Sequence, residues 1–284
     1  MDSREEGQGT LMNIRLIATD VDGTILPRGG VISAATRRAV ERCRARNIPF
    51  VIVSGRWIGA LGNVIAQAGT ADMPIIIVNG SAVLGPGGDV LYERFMEPEH
   101  VARAYETLRR FDVQINSYVP NGLFCLNTGV LKRPSTLLTA YTGEGRMVLD
   151  DPAAFEREGL DRVYKLEGLT EDAATMARLR AALAETGALV THSSSRNVEL
   201  MSPGMGKAAA LRWLAARLGV DMADCMAFGD NANDLDMLEC VGWPVAVGNA
   251  AEEVKRAARI VADTDVGDGV AKVILESVLE EEIP

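Results

Sequence analysis

Short apolar runs, each closed by a polar residue, constrain this chain most. Ile14–Thr19 ends at Asp20, Pro49–Val53 at Ser54, Ile75–Val78 at Asn79, and Met226–Phe228 at Gly229-Asp230. Runs this apolar predict strands covered on both faces, because a sheet with one wet face alternates polar and apolar residues. Helical segments lie between them. Ser33 reads as the N-cap of a helix to about Arg46, a second helix runs to about Gln67, and Lys207–Leu218 lines up Leu211, Leu214 and Leu218. This alternation predicts an α/β fold: a Rossmann-like, doubly wound parallel sheet. Open sheets of that kind bind ligands beyond the carboxyl ends of their strands. The polar residues that close the runs therefore predict one shared site.

The pattern changes after Ser81. Gly85–Gly88 and Asn121-Gly122 sit between short apolar runs and read as hairpin turns. Further helices are expected near Pro98–Arg110, Thr136–Tyr141, Pro152–Glu158 and Asp172–Glu185. Mixed strands and helices predict an inserted α+β cap at 85–195. The core is then discontinuous, at 13–84 and 196–284, and residues 1–12 read as a disordered tail with Met12 a possible natural start. The length of 284 residues suits two such units.

Composition removes several function classes. The chain has 29 basic and 39 acidic residues, a net charge of −10, which disfavours nucleic acid or an anionic membrane as partner. No run approaches a membrane span, and the first residues carry no secretory signal. Cys43, Cys125, Cys225 and Cys240 form no C-x-x-C pair and read as free thiols of a cytoplasmic protein. With only His100 and His192, a histidine metal cage is poorly supplied.

The polar closures suit phosphoryl transfer. Asp20 and Asp22 flank Val21 just past a strand, and Gly23 and Thr24 permit and fix a turn there. Asp230, from another strand end, would complete a hard oxygen cluster suited to Mg²⁺. Ser54 and Lys207 offer a hydroxyl and a positive charge to phosphate oxygens. Blander readings stand beside these. Asp20 and Asp22 suit a turn, Ser54 an ST-turn or helix cap, and Lys207 a solvated helix start. Asn231, Asn233 and Asp234 suit a helix cap, Arg56 a rim position, and Asn79 a loop contact.

The set DVDGT at 20–24, VIVSGR at 51–56, Gly206-Lys207 and FGDNANDLDML at 228–238 resembles the haloacid dehalogenase superfamily. The large insertion after the third core strand resembles its Cof-like phosphatases. The resemblance implies a Mg²⁺-dependent phosphatase acting on a small phosphate ester such as a sugar phosphate. It makes Asp20 the nucleophile and Asp22 the acid and base. Asp20, the Asp22 carbonyl and Asp230 would hold Mg²⁺. Ser54, Lys207, Asn233 and the backbone at Gly23 would bind phosphate. Asp234 would orient Lys207 or support the metal, and Arg56 and Asn79 are candidate substrate contacts. A phosphomutase and a weakly catalytic sensor of phosphometabolites are the alternatives.

Overall fold

Leu16–Thr19 (β1) is wholly buried at the middle of an eight-stranded sheet, as its apolar Leu16, Ile17 and Ala18 require. The computed structural model describes residues 12–27, 30–127, 146–262 and 268–279. The sheet also takes β2 (Phe50–Val53), β3 (Ile75–Ile77), β4 (Ala82–Leu84), β5 (Val90–Glu93), β12 (Cys225–Gly229), β13 (Trp243–Ala246) and β14 (Ile260–Val261). Its order is β14-β13-β12-β1-β2-β3-β4-β5, parallel from β14 to β3 and antiparallel beyond. Helices α1 (Ala34–Ala45) and α2 (Gly62–Ala68) link the first strands, and the Ser33 hydroxyl caps α1 by accepting from the Thr36 amide at 3.0 Å.

Register places the site. Thr19 pairs with Ile52 on one side and Phe228 on the other, so Asp20, Ser54 and Asp230 leave neighbouring strand ends together.

The insertion builds a six-stranded sheet from β6 (Gln114–Val119), β7 (Gly122–Asn127), β8 (Arg146–Leu149), β9 (Lys165–Leu169), β10 (Leu189–Thr191) and β11 (Asn197–Met201). Among the described residues its helices are α3 (Pro98–Leu108), α4 (Pro152–Gly159) and α5 (Ala173–Leu183). Alternation divides this sheet. Ile115, Phe124, Leu166, Val198 and Leu200 join a core with Leu108, Phe155 and Leu179 of those helices. The opposite face carries Asn116, Tyr118, Lys165, Glu167, Asn197 and Glu199, all buried.

The sheets divide the chain at different points from 85 and 195. The hairpin around Gly85–Gly88 extends the core sheet, because the buried Ala82–Leu84 run fills the free edge of β3. Asn197–Met201 joins the cap sheet instead, and its polar–apolar alternation is that of an antiparallel strand. The insertion therefore lies between Glu93 and Ser202. The helix expected at 136–141 and the tail before Met12 lie outside the described residues. Met12 itself packs on the core.

After the insertion come α6 (Lys207–Arg217), α7 (Leu235–Cys240), α8 (Glu252–Ala257) and α9 (Asp268–Val273), the last continued by a wider turn at Ile274–Val278. Among the described residues, no helix is long and apolar enough to cross a membrane.

Candidate active site

The Asp20 amide still follows the β-ladder, donating to Phe228 O at 3.0 Å, and the chain then turns sharply. The amides of Thr24, Ile25 and Leu26 all donate to Val21 O, and Gly23 has φ +88°. This turn buries Asp20 and leaves the Asp22 side chain about a third exposed, at the mouth of the site. The Gly23 amide donates to Leu26 O at 3.2 Å, so it is engaged in the turn rather than aimed at a ligand. Thr24 reaches further than its own turn: its hydroxyl donates to Asp230 Oδ1 at 3.0 Å.

Lys207 opens α6 and is almost wholly buried. Its ammonium donates to Asp20 Oδ1 and to Asp234 Oδ1, both at 2.5 Å. The other oxygen of Asp234 accepts the amides of Asp230 and Asn231 at 2.9 and 3.1 Å. Asp234 therefore caps its own turn and orients the lysine at once. The Asn231 side chain donates to Asp230 Oδ2 at 2.8 Å.

Ser54 is buried, and its hydroxyl accepts the Arg56 amide at 3.1 Å, an ST-turn. That turn sends Arg56 across the mouth. Its guanidinium forks the Asp22 carboxylate, with Nε 2.7 Å from Oδ2 and Nη2 on Oδ1, and Nη1 donates to Ala60 O at 3.2 Å. Arg56 is thus a partner of Asp22. Asn79 is a junction: its amide donates to Ser54 O at 2.9 Å and its Oδ1 accepts Asn233 Nδ2 at 3.3 Å. Val78 and Asn79 both take positive φ, and Gly80 follows at +87°. A Cβ on Gly80 would lie 2.1 Å from Gly206 O, so glycine is what lets this loop rest on the start of α6.

Four carboxylates, Asp20, Asp22, Asp230 and Asp234, face the two cations Lys207 and Arg56. Burial pushes Asp20 well above the usual carboxylate range; Lys207 pulls it down, and Asp234 and Asp230 push it further up. Burial, then Asp234, raises Asp230 to about 7. Burial opposes the charge on Lys207, yet Asp20 and Asp234 hold its pKa above the ordinary lysine value. The lysine therefore stays charged, and burial and mutual repulsion bias the carboxyl groups towards holding a proton.

Such an excess of buried negative charge fits a hard divalent cation. Asp20, Asp230 and Asp234 each bring a carboxylate oxygen within 4.8 Å of the others. Asp234 is wholly buried behind Lys207 and two backbone amides, whereas Asp20 and Asp230 each keep 6% exposure, which favours these two as the metal-facing pair.

Sequence reasoning missed the cap's contribution. Lys165 Nζ donates to Gly55 O at 2.9 Å and pairs with Glu199 at 2.7 Å, and Glu199 Oε2 accepts Asn79 Nδ2 at 2.9 Å. Charged residues inside the alternating strands KLEGL and NVELM were the available signal. Asp236 was missed too. It accepts the Ala208 amide at 3.0 Å and so caps α6.

The pattern of the haloacid dehalogenase-like hydrolase family matches residues 17–274. The 5-amino-6-(5-phospho-D-ribitylamino)uracil phosphatase YcsE of Bacillus subtilis is 27% identical over 268 residues, 94% of this chain and 97% of its own. The HMP-PP phosphatase of Klebsiella pneumoniae is 32% identical over 247 residues, 85% of this chain and 86% of its own. A haloacid dehalogenase-like hydrolase from Bacteroides thetaiotaomicron superposes with a TM-score of 0.77 at 26% identity, covering 92% of this chain and 98% of that one.

Proposed function

Because the chain belongs to the haloacid dehalogenase-like hydrolase family, we propose that it hydrolyses small phosphomonoesters through a phosphorylated Asp20. That it is a phosphatase follows from its family and from relatives that carry that name. The observation that carries the finer reading is the Lys207 ammonium, shared between Asp20 and Asp234 beside Asp230. It ties down one oxygen of Asp20, and the other is the proposed attacking atom.

In the first step Asp20 attacks phosphorus, the ester P–O bond breaks, and Asp22 gives its proton to the departing oxygen. In the second, Asp22 takes a proton from water, the resulting hydroxide attacks phosphorus, and inorganic phosphate leaves Asp20 as a free carboxylate. Ser54, Lys207, Asn233 and the backbone amides of Val21 and Asp22 would bind the phosphoryl oxygens. Arg56 aims Asp22 between turnovers. Mg²⁺ would be held by Asp20, Asp230 and the Asp22 carbonyl, and when bound would screen the repulsion between carboxylate and phosphate.

The proposed substrates are small soluble phosphate esters, sugar phosphates first, in a cytoplasmic setting. The two relatives act on a phosphorylated ribitylamino-pyrimidine and on HMP-PP by name, so heterocyclic phosphates belong on the same panel. Phosphate release from p-nitrophenyl phosphate, sugar phosphates and nucleotides tests the reading. Release that stops in excess EDTA is expected. Full activity in EDTA would remove the metal, and no release from any ester would remove the hydrolase.

A further inference from the structure

We propose that the Lys165–Glu199 ion pair of the cap positions the phosphate-binding loops of the core. The inference rests on the phosphatase reading above. Both side chains are almost wholly buried, at 1% and 3% exposure. Each makes one hydrogen bond to its partner and one across the seam between the sheets. Lys165 Nζ donates to the carbonyl of Gly55, the residue after Ser54. Glu199 Oε2 accepts from Asn79, whose own amide holds Ser54 O and whose Oδ1 holds Asn233. The ammonium also lies 4.3 Å from the centre of the Tyr118 ring, and the Tyr118 hydroxyl donates to Glu167 at 2.9 Å. The pair is therefore fixed from the cap side and grips the core on both sides of Ser54.

Burying two charges adds little net stability over an apolar pair of the same volume. What a buried, fully bonded pair does supply is one defined arrangement of the groups it touches. Here those groups are the Ser54-Gly55-Arg56 turn and the Val78–Gly80 loop. The loop in turn lies on the start of α6, where Lys207 sits. Other hydrogen bonds across the seam, from Ser81 Oγ to Tyr164 O at 3.1 Å, from Arg162 and the Tyr164 hydroxyl to Glu93, both at 2.8 Å, and from Arg94 Nη1 to Gly204 O at 2.7 Å, reach neither Gly55 nor Asn79. Lys165 and Glu199 are positioning residues: they act on phosphate through Gly55 and Asn79.

The test replaces both members, Lys165→Met with Glu199→Leu, so that no lone charge stays buried. A second variant, Glu199→Gln, leaves one acceptor oxygen where the carboxylate gives two, so the bond to Lys165 or to Asn79 is lost with little change in shape. Melting, kcat and KM for p-nitrophenyl phosphate, and the inhibition constant of inorganic phosphate are measured for each. Inorganic phosphate is small enough to report on the core loops alone. The double variant is expected to melt near wild type, with kcat about tenfold lower and the phosphate inhibition constant about tenfold higher. Glu199→Gln should move both in the same direction by about threefold. An unchanged phosphate constant in the folded variants overturns the proposal, whether only melting moves or only large substrates suffer. If the double variant does not fold, Glu199→Gln decides by the same criterion. A wild-type enzyme that neither releases nor binds phosphate would instead refute the underlying phosphatase reading.

Discussion

A Cβ placed on Gly23 would lie 2.3 Å from Oδ2 of Asp230. The same residue holds φ at +88°, so two separate demands, a left-handed turn and a close approach, fall on one position. Gly23→Ala is expected to cost about 1–3 kcal/mol from backbone strain. It should also displace Asp230 and lower kcat about a hundredfold. Thermal melts and initial rates check both effects, and wild-type kcat would mean the approach is not needed for turnover.

Lys207 pairs with two buried carboxylates at once. Lys207→Met should abolish measurable activity and destabilise the fold by about 3–5 kcal/mol at neutral pH, the cost of breaking a buried pair. As pH falls from 8 to 5 the penalty should shrink, because Asp20 is already biased towards its protonated form by burial. An equal loss in denaturant melts at pH 5 and pH 8 would contradict this charge argument.

The raised carboxyls give metal-free protein a definite pH response. Asp230 binds its proton up to about 7 when folded, against 3.8 for the free side chain. Between those values the folded state holds more protons than the unfolded one, so this contribution falls as pH rises. A divalent cation competes for the same oxygens. The gain in melting temperature on adding Mg²⁺ should therefore be larger at pH 8 than at pH 5. Calorimetry that finds equal gains would place the metal elsewhere.

Asp22 stands at the mouth and is proposed to serve both steps. Asp22→Asn should lower steady-state turnover of p-nitrophenyl phosphate by about 10²–10⁴-fold. The good leaving group needs little protonation, so one equivalent of p-nitrophenol should still appear in a burst. Rapid-mixing absorbance resolves the burst. Wild-type steady-state rates would remove Asp22 from acid–base chemistry.

The core was legible in the sequence because buried parallel strands write themselves as apolar runs. Leu16–Thr19, Phe50–Val53 and Cys225–Gly229 needed no partner to be recognised, and the residues that close them meet at one edge. The limits of the insertion were less legible. Ala82–Leu84 resembles either sheet's strand, and only its pairing with β3 decides. Asp234 shows why capping and catalytic readings need not compete: its two oxygens serve the turn and the lysine separately. Lys165 and Glu199 stayed hidden because their partners, Gly55 and Asn79, lie 110 and 120 residues away in the chain. Arg56 gave no sign of Asp22, since an arginine after a turn is ordinarily a surface residue.

The identity of the nucleophile is tested most directly by trapping the covalent enzyme. Asp22→Asn is mixed with p-nitrophenyl phosphate and Mg²⁺, quenched in acid, digested and analysed by mass spectrometry. One phosphoryl group is expected on the peptide that carries Asp20, absent when Asp20→Asn is added to the same variant. A phosphoryl group on any other residue would contradict it, as would full turnover by Asp20→Asn alone.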